Sequence, residues 1–204
     1  MASSPGSPSR IREDPKLGAY VEGLVARDIN CLEDINVALE EGRSNRQVAS
    51  TLMNSSSSRS HAIFTICLSQ NLLDPGGSIV QRNSKICLVD LAGSERASLT
   101  GVSGERLVEA NNINKSLSTL GDVINALSEK SQNNIVKAFV PFRNSLLTWL
   151  LKDSLGGNSR STMIATISPS ELSYSETLST LRYIERAKFI VNIASGTKTT
   201  LTLY

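Results

Sequence analysis

Apolar residues recur along the chain with two alternating periods, and the alternation lays out the elements. Residues 1–9, MASSPGSPS, carry no apolar period and read as a disordered leader. Asn30 then stands as an N-cap with Glu33 three positions on, and Leu32, Ile35 and Leu39 follow at helical intervals. Gly42 is expected to stop that helix, leaving residues 43–59 as a polar loop. Residues 61–68 alternate and are rich in β-formers, so they read as a strand. Asp74-Pro75-Gly76-Gly77 is a strong turn signal. Residues 86–89 are apolar throughout, as a strand covered on both faces should be.

The second half repeats the pattern. A long helix is predicted over residues 108–130, with Ile113, Leu117, Leu120, Ile124 and Leu127 as its apolar stripe. After a polar loop at 131–137, a short helix is expected over 146–154, ended by Gly156-Gly157. Residues 163–167 read as another buried strand, stopped by Ser168-Pro169. A last helix opens at Ser173, capped through Glu176, and turns Leu178, Leu181, Ile184 and Ala187 inward to about residue 191. Residues 193–204 show no period and are expected to form an unstructured tail. Strands alternating with helices predict an α/β fold, helices packed over a sheet.

Composition narrows the function classes. The 204 residues are 40% apolar, enough for one globular unit with a real core. A formal net charge of +2 gives no footprint for a nucleic acid, which needs a concentrated Lys/Arg face. Cys31, Cys67 and Cys87 fall inside regular patterns without C-x-x-C spacing, so free buried thiols are expected rather than disulfides or zinc. No apolar run approaches the ~18 residues of a membrane span, and no signal-like segment follows Met1. These features point to a soluble intracellular protein.

Candidate chemistry lies in two polar stretches. Residues 54–61 read Asn-Ser-Ser-Ser-Ser-Arg-Ser-His, and residues 90–96 read Asp-Leu-Ala-Gly-Ser-Glu-Arg directly after an apolar strand. Asp90 at a strand's C-terminal end is where a carboxylate can hold a Mg²⁺-bound water. Gly93 has no Cβ, so its backbone N–H can approach a phosphate. Alone, D-x-x-G is often only a strand-to-turn transition, and four serines only a flexible loop. The two strings together, separated by two strand patterns, are far more specific. His61 is the single histidine and reads as structural, capping the loop against the strand.

The pair of strings resembles the switch I (N-x-x-S-S-R-S-H) and switch II (D-L-A-G-S-E) loops of the kinesin motor domain. Further strings agree: Asn112-Ile113-Asn114-Lys115-Ser116-Leu117 resembles the relay helix, and Val140-Pro141-Phe142-Arg143-Asn144-Ser145 a loop facing tubulin. Leu155-Gly156-Gly157-Asn158-Ser159 and residues 176–183 complete the signature, and Leu147-Thr148-Trp149-Leu150-Leu151 is closest in wording to the third kinesin class. The resemblance implies ATP and Mg²⁺ as ligands, the microtubule as partner, and the cytoplasmic cytoskeleton as location. It implies that Ser58 and Asp90 hold Mg²⁺, and that Ser57 contacts the γ-phosphate and the attacking water. Asn54 and Gly93 complete the nucleotide contacts, and a salt bridge between Arg59 and Glu95 closes the site and relays a proton. Residues 10–24 resemble the tubulin-touching loop 8, with Arg12 and Lys16 as contacts beside Lys115 and Arg143. By the residues alone, the preferred reading of Arg12 and Lys16 is two solvated charges near a turn.

The family pattern also breaks. Kinesins carry G-x-x-x-x-G-K-[ST] upstream, and neither Gly76-Gly77 nor Gly101-Val102-Ser103-Gly104 is followed by Lys-Ser/Thr. The strand bearing that loop lies, in the family, between those matching residues 86–89 and 163–167. The expectation is therefore a partial kinesin-type P-loop fold over residues 10–192: a mixed sheet flanked by helices, its central phosphate-loop strand missing. Such a truncated motor domain would not hold ATP tightly. The family function is ATP-driven movement along microtubules. For this chain three readings compete: a working ATPase motor, which the missing loop argues against, a nucleotide-independent microtubule-binding module, and a non-functional truncated product without independent stability. Phe142 and Asn144 replace the family's Tyr and Asp, and Val108 stands where the third class has lysine. Only Lys130 and Lys137 remain of its lysine-rich insert, and no heptad for dimerisation follows.

Overall fold

The computed structural model describes residues 10–14, 18–24, 26–51, 60–73, 75–93, 105–133, 138–196 and 199–200. A small hairpin comes first: β1 (Ile11–Asp14) pairs antiparallel with β2 (Gly18–Val21), Ile11 opposite Val21. Helix α1 (Leu32–Thr51) follows, its start held by Asp34, whose Oδ2 accepts the N–H groups of Asn30 and Cys31 at 2.8 and 3.2 Å. The capping acid is thus Asp34 rather than Glu33. Gly42 does not stop the helix, contrary to expectation. An interior glycine costs only ~1 kcal/mol relative to alanine, and the contacts of Arg46 one turn later offset it.

Strands β3 (Ala62–Leu73) and β4 (Ile79–Asp90) form a long antiparallel hairpin, in register from Ala62 opposite Asp90 to Leu73 opposite Ile79. The predicted turn joins them, with Gly77 at φ +80°, a region that favours glycine. Both strands outrun their apolar patterns because polar partners continue the ladder, as where Gln81 Nε2 donates to Ser69 Oγ at 3.0 Å. The tail expected to lack structure supplies β5 (Thr199–Thr200), paired with Val80 and Gln81.

The core sits elsewhere, on α2 (Glu105–Gln132). Its Leu120, Val123, Ile124 and Leu127 meet Leu147, Leu151 and Leu155, with Tyr183 and Ala187 packed alongside. Val123 and Ile124 are fully buried, each contributing about 1.5–3 kcal/mol by leaving water. Helix α3 (Leu146–Leu150) is shorter than predicted and continues as turns; Ser145 caps it, its Oγ accepting the Thr148 N–H at 3.1 Å. Thr148 is fully buried and donates its hydroxyl to the Phe142 carbonyl at 2.7 Å. Gly156 has φ +77°, and a Cβ there would sit 2.8 Å from Leu127 Cδ2, so both backbone and space require glycine.

Helix α4 (Tyr174–Ala187) ends earlier than predicted, and Ser173 makes no side-chain cap; Glu176 instead accepts from Ser175 Oγ at 2.9 Å. Leu181 is 48% exposed rather than inward, while Tyr183 packs against the core.

Two sheet expectations fail together. Residues 163–167, read as a buried strand, carry no regular structure and are exposed. Strand β4, read as covered on both faces, exposes Ile86, Leu88 and Val89. Among the described residues every strand pair is antiparallel, so the expected mixed pairing does not appear there. The cause is shared: no described strand pairs with residues 163–167 or with β4 from Ile86 to Val89 on the side away from β3. The cysteines are free, as expected, but Cys31 and Cys67 are exposed and Cys87 is half-buried, the last two on this uncovered hairpin.

Candidate functional site

The β3–β4 ladder decides where the two polar stretches meet. Because Ala62 lies opposite Asp90, the end of the serine-rich stretch (Ser60, His61) and the start of the Asp-Leu-Ala-Gly stretch emerge side by side. Arg46, in the part of α1 beyond Gly42, clamps them. Its Nε donates to Ser60 Oγ at 3.0 Å, its Nη2 to the Ser60 carbonyl at 2.6 Å, and its Nη1 to Asp90 Oδ2 at 2.9 Å. Arg46 is largely shielded and Asp90 is 73% exposed, so the carboxylate stands in water at the strand end.

His61 makes the second tie. The buried Ala92 N–H donates to its Nδ1 at 3.0 Å, which makes Nε2 the protonated nitrogen of a neutral ring. That Nε2–H donates to Ser116 Oγ at 2.7 Å, and Ser116 donates to the Ile113 carbonyl at 2.7 Å. A continuous chain of hydrogen bonds thus runs from the second stretch through His61 into α2. Burial first, then the charge of Arg46, pushes the imidazole pKa below its ordinary value. His61 has a structural role, but its observed partners are Ala92 and α2; residues 52–59 of the loop that it is expected to cap lie outside the described residues.

Asp90 terminates β4 as expected, and Gly93 follows it half-buried. Asn54, Ser57, Ser58, Arg59 and Glu95 lie outside the described residues. Sequence reasoning missed Arg46, and it read Ser116 only as part of the relay-helix string, without its bond to His61. Arg46 was hidden by the expected stop at Gly42; the run Arg46-Gln47-Val48-Ala49, with three good helix formers, was the available signal. Among the described residues no group of three or more His, Cys, Asp or Glu could hold a metal ion. No helix there is long and apolar enough to cross a membrane.

Two of the cations expected to face a partner are already engaged. Arg12, on β1, pairs with Glu22 at 3.2 Å, both half exposed. Arg143 Nη2 donates to Glu13 Oε2 at 3.1 Å, and its guanidinium lies 5.1 Å from the centre of the Trp149 ring. Glu13 Oε1 accepts from Lys152 Nζ. Lys152 and then Arg143 hold the Glu13 carboxyl below its usual pKa. Lys115 is exposed on α2, and Lys16 lies outside the described residues.

Comparison with known proteins gives a single direction. The family profile described as "Kinesin motor domain" matches residues 2–190. The chain is 55% identical over 186 residues to kinesin-like protein KIF13A of Mus musculus, covering 91% of this chain and 11% of that protein. It is 53% identical over 186 residues to kinesin-related protein 1 of Dictyostelium discoideum, covering 91% of this chain and 8% of that protein. Among solved structures, a KIF14 dimer in a two-heads-bound state, with AMP-PNP and in complex with a microtubule, superposes with TM-score 0.81 at 50% identity. It covers 93% of this chain and 52% of that one. A structure described as a fast kinesin gives TM-score 0.80 at 44% identity, over 94% of this chain and 52% of that one. The chain therefore spans about a tenth of these curated relatives and about half of the solved chains.

Proposed function

This chain belongs to the kinesin motor-domain family, and on that premise we propose that its 204 residues form the phosphate-sensing, track-facing part of an ATP-driven microtubule motor, without the loop that grips ATP. The observation that carries the reading is the junction just described. Arg46 fixes the end of one loop against the start of the other, and His61 links the second loop to α2. A γ-phosphate seen by both loops would move Ala92 relative to Ser116, and α2 would carry that displacement away from the site.

Within this reading Ser57 and Asn54 contact the nucleotide, Gly93 offers its N–H, and Arg59 and Glu95 close the site. Asp90 and Ser58 are hard oxygen donors, a set that suits Mg²⁺, and the exposed Asp90 carboxylate fits a water-mediated contact to that ion. The ion, when bound with nucleotide, supplies charge neutralisation at the phosphates. The cradle is a different matter. No G-x-x-x-x-G-K-[ST] occurs in these residues, so the backbone N–H groups and lysine that hold β- and γ-phosphates must come from other residues. Ile86, Leu88 and Val89 left uncovered on β4, and the exposed, irregular 163–167 segment, support the same view: the sheet is built to continue.

For these residues by themselves the reading is a microtubule-binding module, docking through Arg12, Lys16, Lys115 and Arg143. Sedimentation of the purified chain with stabilised microtubules, with and without magnesium-ATP, tests it. Equal co-sedimentation in both conditions is expected. Release of the chain by ATP would overturn it, since that requires nucleotide to be held.

A further inference from the structure

We propose that Glu13 is a built-in acidic counterweight that lowers the affinity of the Arg143 patch for acidic protein surfaces, the tubulin surface of the preceding reading being the one on which the inference rests. Glu13 divides its carboxylate between two cations, Oε2 to Arg143 and Oε1 to Lys152. It sits on a hairpin that cannot easily swing away. Its strand partner Ala19 is buried, and the neighbouring Gly18, at φ +73°, approaches so closely that a Cβ would lie 2.0 Å from Asp153 Oδ2. The carboxylate is therefore held against the turns that flank α3 by backbone geometry as well as by charge.

Arg143 has a second hold, the face of Trp149 at 5.1 Å. That contact decides the direction of the effect. With Glu13 neutralised, Arg143 stays over the indole instead of becoming disordered, and both cations lose the one carboxylate that they share. Asp153 faces Lys85 at 3.9 Å, so that carboxylate already stands beside another cation. Arg143 is 73% exposed, so the freed charge is presented to a partner within about a Debye length, roughly 10 Å at 0.1 M salt. An exposed charge pair of this kind is worth about a two- to fivefold change in binding.

The test compares the 204-residue chain with Glu13→Gln, Arg143→Gln and the double variant, by sedimentation with stabilised microtubules over a salt series. Glu13→Gln should bind about two- to fivefold more tightly at low salt, the advantage vanishing at high salt and absent in the double variant. Iodide quenching of Trp149, the only tryptophan, should rise in Glu13→Gln relative to acrylamide quenching, because the anion is drawn to cations no longer neutralised. Wild type that binds while Glu13→Gln binds equally or more weakly would overturn the proposal and leave the microtubule reading standing; unchanged iodide quenching would overturn it too. Failure of every variant to bind would overturn both.

Discussion

His61 offers the sharpest perturbation, because one imidazole links three segments and the chain holds no other histidine. Replacing it with phenylalanine keeps a ring at the site and removes the acceptor for the Ala92 N–H, a donor buried at 4% exposure. An orphaned buried donor costs about 1–3 kcal/mol. Ser116 still donates to the Ile113 carbonyl, so its loss adds little. The expected penalty at pH 8 is therefore about 1–3 kcal/mol, read from urea denaturation of wild type and variant. Acid should produce the same break without mutation. The folded-state pKa of His61 lies below the ordinary value of 6.5, so the fold favours the neutral ring. That stability is fully present above pH 6.5 and is lost as pH falls through the folded-state pKa, when protonation removes the Nδ1 acceptor. The gap between wild type and His61→Phe should close over the same interval. The single imidazole signal in a proton NMR titration gives the pKa directly. A value at or above 6.5, or a gap independent of pH, would refute the reasoning.

Other outcomes follow from the core and the open sheet. Ile124→Ala, at a side chain with no exposed surface, should cost about 2–5 kcal/mol in the same denaturation assay. Gly156→Ala should destabilise by more than ~1 kcal/mol, because both the positive φ and the contact with Leu127 oppose a Cβ. Leu88→Lys and Ile164→Lys, at positions 55% and 87% exposed, should change stability by no more than ~0.5 kcal/mol; a loss of several kcal/mol would mean that these faces are covered in solution.

The sequence was most legible where periodicity was long. The stripe from Leu120 to Leu127 lies in the core as read, and the Asp74–Gly77 signal lies where β3 turns into β4. It misled where local punctuation met tertiary support. Gly42 reads as a stop, yet the bonds of Arg46 to Ser60 and Asp90 hold the helix together past it. The inference from an apolar run to a covered strand failed at Ile86, Leu88 and Val89, because cover depends on a neighbour that the described residues do not supply. The site was half legible. Asp90 and His61 stand at the strand ends where the strings placed them; Arg46 carried no motif because its helix outruns its pattern, and Ser116, though inside the relay-helix string, carried no sign of its bond to His61. The pairing of Arg143 with Glu13 spans 130 positions and no local pattern could announce it.

The central claim is that these residues sense and transmit but do not grip ATP. The measurement that tests it most directly is microtubule-stimulated phosphate release from magnesium-ATP by the purified chain, with Asp90→Ala as the control. The account predicts no turnover above background in either protein, together with microtubule binding by both. Turnover in the wild type that vanishes in Asp90→Ala would contradict it, and would mean that another segment of this chain serves as the phosphate loop.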